Sequence, residues 1–169
     1  LLARLALAAL APLSALASAL GTIWIFALML LIGGDVLGRQ LFNTPIVGVT
    51  EIVSQSIVGI VFLQLADAQR SGRMIRSDVI LGRILKSSPV AGMVLLSVFN
   101  LAGAALMATL CWFSWPRLID AWVNDEYVGS LGNFTMAIWP FVAIVVFASA
   151  MSALYYLVFA LSPRYAVEV

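Results

Sequence analysis

Residues 46–66 read IVGVTEIVSQSIVGIVFLQLA, an apolar run broken by one acid, Glu51, and by no basic residue. A run of this kind matches the ~20 residues that an α-helix needs to cross a bilayer. It lacks the strict apolar/polar alternation of a barrel strand, and backbone in lipid must satisfy its own hydrogen bonds, so a helix is the expected form. Working outward, similar runs occupy about 13–34, 90–115 and 136–161. The expected fold is an all-α integral membrane domain over residues 1–169, with four transmembrane helices and short interfacial amphipathic helices.

The composition agrees with this. Of 169 residues, 63% are hydrophobic and 10% charged, with a mean hydropathy of +1.09. A soluble domain carries roughly a quarter of its residues as Asp, Glu, Lys and Arg, so lipid is the better outer solvent for this chain. The absence of histidine removes imidazole bases, His-ligated haem and the usual zinc sites. No phosphate loop, metal cluster or nucleophile with a base is legible, so neither a cofactor nor an enzymatic activity is expected. A net charge of +1 is too small for a nucleic-acid binder. The single cysteine, Cys111, has no partner for an intrachain disulfide.

Orientation follows from the basic residues. The second connection carries Arg70, Arg73, Arg76, Arg83 and Lys86 against Asp67 and Asp78, so it is expected on the cytoplasmic side. The first connection, with Arg39, and the third, with Arg117, Asp120, Asp125 and Glu126, then face outward, and Arg4 and Arg164 place both termini inside. Trp112, Trp115, Trp122 and Trp139 bracket the third connection as an aromatic belt. Pro12 is expected to separate a short interfacial segment, residues 1–11, from the first span. Two connections read as amphipathic surface segments. The inner one contains Arg73, Arg76, Asp78, Arg83 and Lys86, and the outer one, RLIDAWVNDEYV, sets Leu118, Ile119 and Trp122 against Asp120, Asp125 and Glu126. Each is either a membrane-surface elbow or a docking surface.

Glu51 is the most informative side chain. Thr44 and Pro45 read as the cap and first position of the second helix, which places Glu51 about two turns in. A carboxylate at mid-membrane costs ~2.5–3.5 kcal/mol on insertion scales, less near the interface, so it needs a partner or a function. One reading is a proton or cation site; the favoured one is an Arg39–Glu51 ion pair joining the first two spans. Gly48, Glu51, Gln55 and Gly59 share one helical face, on which another helix can approach closely.

These residues carry a family resemblance. Asp35 and Arg39 end the first span; Phe42, Asn43, Pro45, Ile46, Gly48 and Glu51 form a run, and Gly72, Ile75 and Asp78 form another. With Trp139 and Pro140 opening the last span, the chain resembles the small membrane subunit, DctQ-like, of tripartite ATP-independent periplasmic (TRAP) transporters. The motif match is strongest over 34–80, and length and span count match throughout.

The resemblance implies a bacterial inner-membrane protein in a three-part system. A periplasmic binding protein captures a carboxylate-bearing solute, a large membrane subunit moves it with sodium as an elevator, and this chain acts as scaffold and anchor. The implied partners are therefore the large subunit, the binding protein and membrane lipid. Gln40 and Asn43 in the first hairpin, with Asp120, Asp125 and Glu126, are the expected contacts for the binding protein. The Gly48–Gly59 face serves either packing within the chain or packing on the large subunit. The alternatives are a self-sufficient proton-coupled exporter built around Glu51 and the membrane anchor of a respiratory complex.

Overall fold

The computed structural model describes residues 2–71, 89–130 and 134–161. Four helices form in the apolar runs: α1 (Leu2–Phe42), α2 (Val49–Arg70), α3 (Pro89–Val123) and α4 (Trp139–Leu161). All four are long and apolar enough to cross a membrane. Between α3 and α4 lies an antiparallel hairpin of β1 (Tyr127–Ser130) and β2 (Phe134–Ala137), with Tyr127 opposite Ala137 and Ser130 opposite Phe134.

The helices stand in the order α1, α2, α4, α3. Burial follows that order: 33% and 44% of the most apolar windows of α2 and α4 are buried, against 11% and 22% for α1 and α3. The central pair is thus α2 and α4, and the flanking helices keep broad apolar faces, including Leu16, Ile23 and Leu30 on α1 and Phe99, Leu106 and Phe113 on α3. The row gathers at the end away from the hairpins. There Ala66, Leu96, Met151, Tyr155 and Phe159 form a core against which Leu7 and Leu10 pack, so all four helices contribute.

Two polar contacts register the helices. Ser14 Oγ and Tyr155 Oη lie 3.0 Å apart, both fully buried, and join α1 to α4. Trp24 Nε1 donates to Ser56 Oγ at 3.2 Å and joins α1 to α2, while the Trp24 ring meets Phe141 of α4 at 5.9 Å. Buried hydroxyls inside a membrane protein are costly unless paired, and pairing one helix with the next satisfies them while fixing the register.

The flanking helices are longer than the sequence runs. At 1.5 Å per residue, the 41 residues of α1 and the 35 of α3 extend about 61 and 52 Å, well beyond the ~30 Å hydrocarbon core. Pro12 does not separate an interfacial segment: it lies inside α1, on an exposed side. A proline removes one helical hydrogen bond, whereas breaking the helix in an apolar setting strands several backbone groups. Pro116 is carried inside α3 in the same way.

The outer amphipathic elbow is likewise replaced. Residues 117–123 are the last turns of α3, residues 124–126 turn the chain, and Tyr127 and Val128 open β1. The helix ends at Val123, two residues before Asp125 with its φ of +45°, and Ile138 N–H donates to Glu126 O at 3.0 Å to close the base of the hairpin. Met136, expected at the start of the last span, belongs to β2, and the span opens at Trp139 with Pro140 in the first turn, where its missing N–H costs nothing.

Candidate interaction surfaces

The α1–α2 turn is organised by one carboxylate. Asp35 is buried near the end of α1; its Oδ2 accepts from Arg39 Nε at 2.9 Å and its Oδ1 from Ile46 N–H at 2.8 Å. Thr44 N–H returns to Gly38 O at 3.2 Å, Asn43 sits at φ +52° and Gly48 at φ +87°. With the chain turned back between two left-handed positions, residues 44–48 are not helical. The second helix therefore begins at Val49 and not at Pro45, and Glu51 falls in its first turn.

This geometry corrects the expected Arg39–Glu51 pair. Asp35 stands one helical turn before Arg39 on the same face, so Arg39 bonds to it at 2.9 Å. The Arg39 side chain remains 56% exposed. Glu51 and Gln55 are half-buried, and neither has a hydrogen bond or ion pair among the described residues.

The glycines of the same face meet neighbours within the chain. A Cβ on Gly59 would lie 3.7 Å from Ile144 Cδ1 and 3.8 Å from Phe141 Cδ1, an ordinary contact with α4. Gly48 is tighter, because a Cβ there would lie only 2.4 Å from Cγ of Phe134 on β2. The ring of Phe134 thus rests on the backbone at the start of α2 and locks the β-hairpin to the α1–α2 turn. Gly129, at φ +118°, lets β1 cross the Phe134 carbonyl, where any Cβ would fall at 2.0 Å.

The hairpin end is therefore a single platform. Trp122 and Trp139 pack edge-on at 4.5 Å across its base. Arg117 holds Glu126 in a two-pronged pair, Nη1–Oε1 at 2.8 Å and Nη2–Oε2 at 2.6 Å. Of the expected docking residues, Gln40, Asn43, Asp120 and Asp125 are exposed, and Glu126 is half-buried under Arg117. Arg73, Arg76, Asp78, Arg83 and Lys86 lie outside the described residues. Asp67 and Arg70, counted from sequence with that connection, are in the last turn of α2, where Arg70 Nη2 meets Asp67 Oδ1 at 2.8 Å.

Sequence reasoning did not single out Ser14, Ser56 or Phe134. A lone hydroxyl in an apolar run marks an interhelical hydrogen bond, so Ser14 and Ser56 carried a signal. Phe134 carried none, because its partner is a backbone position distant in sequence. Two apolar grooves run between helices, one of about 610 Å³ lined by Cys111, Trp112, Trp115, Ala150 and Leu154, the other of about 400 Å³ lined by Ile25, Met29, Ile57 and Val61. Among the described residues no group of His, Cys, Asp and Glu is arranged to hold a metal ion.

The family model of the DctQ component of tripartite ATP-independent periplasmic transporters matches residues 28–164. The chain belongs to the DctQ family. The match runs from the middle of α1 to just beyond α4, and so includes Asp35, the α1–α2 turn, Glu51 and the platform. As a DctQ component, the chain is the small membrane subunit of a TRAP transporter, an inner-membrane protein whose family works with a large membrane subunit and a binding protein. No curated protein and no solved structure matched this DctQ chain.

Proposed function

We propose that this chain is the static scaffold of a sodium-coupled uptake system for an organic acid or similar carboxylate solute. It holds the fixed helices of the large subunit while the transport portion of that subunit slides. The observation that carries this reading is the open row of helices. The α1 and α3 flanks keep long apolar faces uncovered, a form suited to widening another membrane protein. Both termini and the basic connection between α2 and α3 lie in the cytoplasm, because Arg70 at the end of α2 and the four basic residues of that connection make five of the nine Lys and Arg of the chain.

In this orientation the platform faces the periplasm and meets the solute-loaded binding protein through Gln40, Asn43, Asp120, Asp125 and Glu126. Exposed charge contributes ~0–1 kcal/mol per pair, so Asp120 and Asp125 tune encounter more than affinity. The test is reconstitution. Proteoliposomes holding this chain and the large subunit, with the binding protein added, should accumulate a carboxylate solute only under an inward sodium gradient. Accumulation by this chain alone, or without sodium, contradicts the proposal.

A further inference from the structure

The spans differ in how they settle polar side chains on exposed sides. The hydroxyls of Thr22, Ser54 and Thr109 fold back on the carbonyl four residues earlier, so lipid can surround them. Span α2 is the least apolar of the four, with a hydropathy of 1.6 against 2.0–2.3 for the others. Its Glu51 and Gln55 have no partner among the described residues.

The depth of these two residues matters. The 22 residues of α2 extend about 33 Å, close to the hydrocarbon thickness, so Glu51 lies at the margin of the hydrocarbon and Gln55 one turn inside it. Spacings of four, three and four residues place Glu51, Gln55, Val58 and Phe62 on one stripe. That stripe lies beside the line of Ser56, Gly59 and Leu63 that faces α1 and α4, and its Glu51, Gln55 and Phe62 are half-buried. Val58 is 45% exposed on it.

Lipid tails offer neither a cation nor a hydrogen-bonding group, and the cations that a second copy of this chain presents at this end are already paired. Arg39 is engaged by Asp35, and Arg117 by Glu126. From this we infer that the Glu51–Gln55–Val58 stripe seats a transmembrane helix of the large subunit. That helix brings a Lys or Arg to the depth of Glu51 and a hydrogen-bonding group beside Gln55. This rests on the scaffold reading and adds where the partner sits and what it carries.

The test uses the chain co-expressed with its large subunit and recovered in gentle detergent. A photo-crosslinking residue at Val58 should capture the large subunit. Glu51→Lys should lower recovery of the large subunit about tenfold or more, since it sets like charges together, and Glu51→Gln should lower it less. A complex whose Val58 probe captures nothing, or whose recovery is unchanged by Glu51→Lys, overturns this inference alone. A natural chain that recovers no large subunit overturns the scaffold reading and this inference with it.

Discussion

Asp35 and Gly48 show how single residues shape the platform. Asp35 is a buried acceptor for both a guanidinium and a backbone N–H, so Asp35→Ala leaves the Ile46 amide unpaired and releases the turn. The expected cost is ~1.5–3 kcal/mol, the range for hydrogen bonds to charged groups, read as a fall in Tm of the detergent-solubilised protein. Arg39→Ala should cost under about 1 kcal/mol, because that side chain is more than half exposed. Equal losses for the two variants would show that the turn is not organised by the carboxylate. Gly48→Ala should be worse than Gly59→Ala. The left-handed backbone adds ~1–2 kcal/mol of strain to the clash with Phe134, whereas a methyl at Gly59 meets α4 at ordinary contact distance. At this scale Asp35, Arg39, Gly48 and Glu51 stood out in the sequence. Their pairing did not, because the choice between Asp35 and Glu51 as partner of Arg39 depends on where the turn ends and α2 begins.

At the level of elements, four helical spans were legible from hydropathy, since any lipid-exposed backbone must hydrogen-bond internally. The ends of the spans were not. Pro12 reads as a break and the third apolar run stops at residue 115, yet Pro12 and Pro116 are both carried inside long helices. The segment after Trp115 has helical amphipathicity, but a left-handed Asp125 and the seating of Phe134 on Gly48 turn part of it into a hairpin. Those determinants lie far apart in sequence, so a local pattern does not reveal them. Phe134→Ala should loosen the hairpin and leave the helices intact, seen as faster amide hydrogen exchange over 127–137 with unchanged exchange in α2 and α4. Unchanged exchange in the hairpin would mean that the Trp122–Trp139 pair and Arg117–Glu126 hold it without Phe134. Trp24→Phe removes the donor to Ser56 but keeps an aromatic ring near Phe141, and should cost ~0.6 kcal/mol, typical of interhelical hydrogen bonds in membranes. A loss of several kcal/mol would instead make this contact a principal tie between α1 and α2.

For the whole molecule, the row of four helices gathers at one end and is capped by a rigid platform at the other, leaving the flanks bare. Bare flanks of this kind are what the proposed scaffold role asks of a member of the DctQ family. If Asp120 and Asp125 steer the binding protein, Asp120→Asn with Asp125→Asn should slow its association at low ionic strength and have little effect near physiological salt. A rate that does not respond places the docking surface elsewhere. The proposed role makes this chain a fixed part of a larger membrane complex. Its most direct test is recovery of the tagged chain from its native membrane in gentle detergent, with mass spectrometry of what accompanies it. The expected companion is a much larger polytopic membrane protein in near-equal amount; recovery of this chain alone, as a monomer or homodimer, would contradict that role.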